Sequence, residues 1–282
     1  MSLALLRACV LLGFVGQISW PDGVKCPVVL SFDLDAELLW NVWLTREPSP
    51  IDISQGVYGP RVGLPRVLAM LERQEIRGTF FVPGAVAERY PEAAKSIASA
   101  GHEIAHHGYL HEDCSKLTKD EERRMLIQGG DALFRVTGVR PKGARLSLGK
   151  TTISNLDDLG FVYESTLMDD DQPYRLHSEG GKSHMIELPV TFAFNDTSYF
   201  AYTFGLPKPF LTPREVEAVY CDEFDAMYRE QKYCMFMLHP QVIGRASRLD
   251  MLERTVEYMK SKPGVWFATA LEVAEHCQHA LG

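Results

Sequence analysis

Closely spaced cysteines are missing from this chain. The six present (Cys9, Cys26, Cys114, Cys221, Cys234 and Cys277) are scattered, with no C-x-x-C pair. That removes the common zinc-ribbon and dithiol redox motifs and leaves mostly buried free thiols as the plain reading. A surplus of basic charge is missing too. Lys and Arg number 29 against 37 Asp and Glu, a formal net charge of -8 with no basic run. This argues against nucleic acid or an anionic membrane surface as a partner. No apolar run approaches the roughly 20 residues that span a bilayer as a helix. The longest, Ala8 to Gly16 after Arg7, has the length of a secretory-signal core but no clear cleavage site follows it. Residues 1–19 are therefore read either as a signal peptide, implying secretion, or as an N-terminal extension of a cytoplasmic chain. Repeats, low-complexity tracts and Pro/Gly/Ser linkers are also absent, so residues 20–282 are expected to form one domain.

What remains is an ordinary globular composition, 46% hydrophobic and 23% charged over 282 residues, enough for a large core. From Val28 onward, strand-like and helix-like segments alternate. Val28–Phe32, Thr79–Val82, Ile186–Val190, Tyr233–Leu238 and Val265–Ala268 are apolar strand runs, and two shorter strands surround Gly143–Leu146 and Phe161–Glu164. Helical spacing marks 63–76, 91–100, 118–137, 213–231 and 248–262, with a Thr-x-x-Glu capping box at Thr118 and Glu121. Residues 36–62 read as a long loop, 169–184 as a polar excursion outside the core, and 192–211 as an aromatic-rich loop. About eight strand–helix units predict an α/β fold with a parallel sheet, closed as a distorted (β/α) barrel.

In such a barrel, reactive groups sit at the C-terminal ends of strands. That rule selects Asp33 and Asp35, then His107 and His111, Arg145 and His239. The histidine-rich stretch, Gly101 to His111, supports two readings. His102-Glu103-Ile104-Ala105-His106 matches the H-E-x-x-H of zinc metallopeptidases, which requires a helix. Yet it occupies a strand position, and the distance to His111 is one residue short of the extended form of that motif. The other reading takes His107-x-x-x-His111 with an Asp33/Asp35 carboxylate. Two imidazoles and one carboxylate leave an open position for water, as a hydrolytic zinc site needs. His106, adjacent to His107 on a strand, should face the opposite side.

These residues resemble the polysaccharide deacetylase superfamily (NodB-homology, carbohydrate esterase family four). The resemblance runs from Trp20 to Cys277 and rests on Ser31-Phe32-Asp33-Leu34-Asp35-Ala36-Glu37, on Thr79 to Gly84, on Gly101 to His111 and on Leu238-His239-Pro240. Leu159 to Ser165, followed by Asp170, Asp171, Pro173 and Tyr174, is similar to the branch holding peptidoglycan deacetylases and metal-independent allantoinases. The resemblance implies a NodB-type barrel and a divalent metal, zinc, held by Asp35, His107 and His111. It implies Asp33 as general base, Arg145 as its partner and His239 as general acid. Leu238 and Trp266 would wall an apolar pocket for the acetyl methyl, with Glu187 and Asp196 structural. The implied reaction is deacetylation of N-acetylglucosamine units in peptidoglycan or chitin. The alternatives are hydrolysis of a small cyclic amide, ureide or imide, or a non-catalytic carbohydrate-binding relative. A homo-oligomer is compatible with the sequence. One departure stands out: after Arg145 the family has a proline and an aromatic, where this chain has Leu146-Ser147-Leu148-Gly149.

Overall fold

A computed structural model describes residues 18–40, 47–178, 181–202 and 211–281. The N-terminal signal or extension expected over residues 1–19 lies almost wholly outside this set. Nine strands make one curled sheet: β1 (Cys26–Asp33), β2 (Thr79–Val82), β3 (Glu103–His106), β4 (Gly143–Ala144), β5 (Tyr163–Glu164), β6 (Tyr174–Ser178), β7 (Gly181–Glu187), β8 (Cys234–Leu238) and β9 (Val265–Phe267). Their spatial order is β6-β7-β5-β4-β3-β2-β1-β8. β9 pairs with the first residues of β1, Cys26 to Val28, while β2 joins β1 only from Ser31. The chain thus has the expected (β/α) barrel, distorted and left open between its edge strands β8 and β6, which share no ladder among the described residues.

Every residue of β1 is buried, because a parallel strand is covered on both faces. Its alternate residues feed two cores. Val28, Leu30 and Phe32 face the helices outside the sheet, whereas Val29 faces the inside with Phe81, Ala105, Tyr163 and Met235. Val273, Ala274 and Cys277 of the last helix, Ala270–Ala280, fill that inside at the N-terminal ends of the strands. The C-terminal ends are left for polar groups.

Two segments depart from the sequence reading. Residues 36–62 are not simply a loop: Pro50–Tyr58 forms a helix with a Ser49/Asp52 capping box and runs into a π-turn at Gly59–Gly63. Few apolar residues there repeat at helical spacing, so the cap was the available signal. Residues 169–184 are not an excursion, since β6 and β7 form an antiparallel hairpin that extends the sheet. Its buried face, Leu176 and Met185, alternates with polar residues, a half-covered edge pattern that hides a strand among charges. The described cysteines are free, and the sulfurs of Cys26 and Cys234 lie 3.8 Å apart inside the core.

Candidate metal and catalytic site

The histidine stretch is a strand and a turn. Glu103–His106 is β3, so H-E-x-x-H cannot bring its two histidines to one side as a helix would. His106 points away from His107. Its Nδ1 accepts from the Gly108 N–H at 3.0 Å and its Nε2 lies 2.9 Å from the Leu126 carbonyl. Burial pushes it down to about 4, so it is a neutral structural residue. The helix Lys119–Thr137 presses against this ring so closely that a Cβ at Gly129 would lie 2.7 Å from its Nε2.

After His107 the chain turns through Gly108, whose φ of 76° suits glycine. The turn is held by Glu112, which accepts from the N–H groups of Tyr109 and Leu110, both at 2.9 Å. It delivers His111 in a left-handed conformation with φ of 59°. Ala36, immediately after Asp35, is likewise left-handed at 49°. Backbone strain of this kind in non-glycine residues costs roughly 1–3 kcal/mol and gathers at functional sites.

Asp35, His107 and His111 are brought together, with ligand-type atoms all within 4.8 Å of one another. The donor set fits a divalent cation on two observations. The His107 Nδ1 lies 2.6 Å from the Arg145 carbonyl, which fixes the proton on Nδ1 and leaves the Nε2 lone pair facing Asp35 Oδ1 at 3.1 Å. Two lone pairs at that distance repel unless a proton or a cation lies between them. In addition, both Asp35 oxygens and His111 Nδ1 are buried without a hydrogen-bond partner. Burial opposes ionisation of Asp35, but His107, His111 and His239 around it prevail and hold its carboxyl well below the usual range.

On one side of this trio stands Asp33. Arg145 Nη1 donates to its Oδ1 at 2.7 Å and to Ser31 Oγ at 3.0 Å, while Nε and Nη2 bond the carbonyl and hydroxyl of Ser165. The guanidinium also lies 4.1 Å over the Phe81 ring. Every arm of Arg145 is fixed, despite the unusual Leu146–Gly149 that follows it. On the other side stands His239, whose Nε2 is 3.9 Å from Asp33 Oδ2 and 3.7 Å from Asp35 Oδ2. Its Nδ1 pairs with Asp196 Oδ1 at 2.7 Å, and Asp196 Oδ2 accepts the His239 backbone N–H at 2.9 Å. Burial alone would lower His239; Asp196, with Asp35 and Asp33, raises it to about 9 instead. Asp196 therefore belongs to the site more closely than the sequence reading had it. The missed signal was a carboxylate at the head of a short helix, Thr197–Phe200, in the aromatic loop.

A sequence model of the polysaccharide deacetylase family matches residues 58–162. A solved Mycobacterium smegmatis protein classed as a polysaccharide deacetylase is 38% identical, covering 94% of each chain at a TM-score of 0.88. The chain belongs to the polysaccharide deacetylase family. It is an enzyme of that N-deacetylase type, a hydrolase, on the NodB-type barrel. The peptidoglycan deacetylase of Helicobacter pylori is 28% identical over 277 residues, spanning 88% of this chain and 94% of the relative. The solved Puue allantoinase is 26% identical, covering 92% of each chain at a TM-score of 0.82.

Two further sequence expectations are corrected by the register. Leu238 is fully buried and packs with the helix-facing core, on the opposite face from Met237, so it does not wall a pocket at the site. Trp266 pairs with Pro27 at the start of β1. Asp33 stands six positions after Pro27 along β1, roughly 20 Å at the strand rise, so Trp266 lies at the far end of the barrel. Glu187 is engaged elsewhere, accepting the N–H groups of Thr166 and Leu167 beside the equally buried Glu164. Burial, and after it the neighbouring Glu164, raise the carboxyl of Glu187 well above the usual range.

Proposed function

We propose that this protein is a metal-dependent hydrolase of non-peptide carbon–nitrogen bonds that removes N-acetyl groups from N-acetylglucosamine units of a polysaccharide, peptidoglycan or chitin. The observation that carries this reading is the placement of a cation-seeking trio between an arginine-locked carboxylate and a carboxylate-locked imidazole. Asp35, His107 and His111 would hold the metal, and two imidazoles with one carboxylate suit zinc. When bound, the metal supplies a Lewis acid for the amide carbonyl and makes water a better nucleophile at neutral pH.

The remaining steps belong to this chain's own residues. Arg145 occupies Asp33 Oδ1, which orients the carboxylate and leaves Oδ2 to take the proton from the attacking water. His239, raised to about 9, is an imidazolium at neutral pH. Its Nε2 proton goes to the amine nitrogen as the carbon–nitrogen bond breaks. Asp196 on Nδ1 orients the ring and stabilises its charge. Asp33 Oδ2 and His239 Nε2 lie 3.9 Å apart, close enough for both to address one small reacting centre.

The relative from Helicobacter pylori bears a peptidoglycan deacetylase name, which supports a glycan substrate. A second reading, ring opening of a small cyclic amide or ureide, is supported by the allantoinase likeness over 92% of the chain and by the hairpin whose Tyr174 hydroxyl meets Asp169. Acetate release from chitin oligosaccharides and peptidoglycan fragments by zinc-loaded protein, run beside ring opening of allantoin, separates the two. Acetate release supports the deacetylase. Absence of acetate from every glycan sinks it, and ring opening then selects the second reading.

A further inference from the structure

Two buried acids that the proposed reaction leaves unused stand behind Arg145. Glu164 and Glu187 are paired in register across β5 and β7, and both are fully buried. With Ala144, the partner of Glu164 on β4, they share the face of the sheet opposite Arg145. Glu187 Oε1 accepts the N–H groups of Thr166 and Leu167, and Glu164 Oε1 accepts the Thr166 hydroxyl at 2.5 Å. Neither Oε2 atom finds a donor, although the two side chains are within hydrogen-bonding reach of each other. Two ionised carboxylates repel in a dry interior, whereas an acid and a carboxylate form a hydrogen bond. One proton between them satisfies both Oε2 atoms. Burial raises both carboxyls, and the positive charge of Arg145 favours ionisation of Glu164.

The charge left on Glu164 meets a peptide group that leads directly to the Asp35, His107 and His111 trio. The Leu146 N–H is shared between Glu164 Oε1 at 3.3 Å and Thr166 Oγ1 at 3.2 Å. The carbonyl of that same peptide belongs to Arg145 and accepts from His107 Nδ1 at 2.6 Å. A peptide is one planar, conjugated unit, so an anion at its N–H makes its oxygen a stronger acceptor. The imidazole that donates to this oxygen becomes a more basic ligand at Nε2. A proline after the arginine would carry no such N–H. Leu146, where the chain departs from the family pattern, supplies it.

We propose that Glu164 and Glu187 form an acid–carboxylate pair whose charge, transmitted through the Arg145–Leu146 peptide, tightens the hold of His107 on the cation. Glu164 is a positioning residue for the metal site and touches no reacting atom. The inference rests on the reading of Asp35, His107 and His111 as metal ligands.

Zinc affinity, measured on the full chain by competition with a chromophoric chelator, tests this with isosteric variants. Glu187→Gln replaces the shared proton by an amide N–H and leaves the charge on Glu164, so affinity should stay at the wild-type value. Glu164→Gln keeps an acceptor for Leu146 but moves the charge away. Its affinity should fall about tenfold, the lower end for partners of metal-bound histidines. Leu146→Pro, which removes the N–H and leaves both acids, should lose affinity to a similar extent. In metal-free protein the His107 Nδ1 proton resonance should move upfield in Glu164→Gln and stay in place in Glu187→Gln. Glu103→Gln, at the other end of β3, is the control and should change neither reading. Wild-type affinity in Glu164→Gln or in Leu146→Pro overturns the proposal. So does an equal loss in Glu187→Gln or Glu103→Gln, which would reduce the effect to general loosening of the fold. The metal reading fails separately, as a wild type that takes up no zinc, and the His107 resonance then still decides whether the charge of Glu164 reaches that ring.

Discussion

Two carboxylates held by the two ends of the same barrel make an instructive contrast. Glu103, at the start of β3, accepts from Thr79 Oγ1 at 2.7 Å, Tyr163 Oη at 2.8 Å and the Leu271 N–H at 3.0 Å. It ties β2, β3 and β5 to the N-terminus of the last helix. Asp35, at the other end, is more deeply buried and its carboxylate has no hydrogen-bond donor at all. A satisfied buried carboxylate is a structural clamp. An unsatisfied one surrounded by imidazoles is a ligand waiting for a cation, because an ionised group without a partner is otherwise costly. The eye-catching histidine stretch contributes to both, with Glu103 entering the strand and His107 leaving it.

That contrast can be broken by experiment, and the largest effect should come from His107→Ala. Bound zinc, measured by atomic absorption after dialysis, should fall close to zero with activity, whereas His102→Ala keeps its metal. Equal loss in both variants would return the H-E-x-x-H reading. Next, Asp33→Asn should lower kcat by about 10²- to 10⁴-fold, the usual worth of a positioned base, while zinc content and melting temperature hold. Retained turnover would remove Asp33 from the mechanism. Glu103→Ala should do the reverse, costing about 1–3 kcal/mol in denaturant unfolding through its orphaned partners with metal content intact. A loss of zinc there would erase the distinction between the two ends.

The smallest effect concerns His239. In metal-free protein its imidazole should titrate near 9 rather than the ordinary 6.5, followed by NMR. The sign follows from linkage. A histidine raised in the folded state contributes stability that is fully present below 6.5 and is lost as pH rises through about 9. Asp196→Asn should move the titration downward and shrink that pH-dependent stability. An unmoved titration would show that Asp196 does not set the charge of His239.

Much of the candidate site's composition could be read from the chain. Asp33, Asp35, His107, His111, Arg145 and His239 were selectable because apolar strand runs end visibly and reactive groups in such barrels follow those ends. The runs around Val28, Thr79 and Cys234 are buried on both faces and announce themselves. The hairpin of β6 and β7 did not, because polar residues such as Arg175, His177, Ser183 and His184 interrupt its apolar ones and dilute the pattern. Likewise Glu112 and Asp196 looked like ordinary loop acids, since nothing local shows which backbone N–H or imidazole they will meet.

Directions and distances were a matter for the tertiary structure. Leu238 and His239 are neighbours in sequence, yet the pleat turns one into the helix-facing core and the other toward Asp33. Trp266 lies on a strand like the candidate site residues, but its pairing with Pro27 puts it at the other end. The sequence by itself determined which side chains were available for hydrolytic chemistry and, through strand ends, at which height of the barrel most of them stand. Only folding decided that Asp35 would be left without donors and that Asp196 would reach His239 across 43 residues. Hydrophobic periodicity is local and survives in one dimension; the saturation of a polar atom depends on partners that the chain brings from far away.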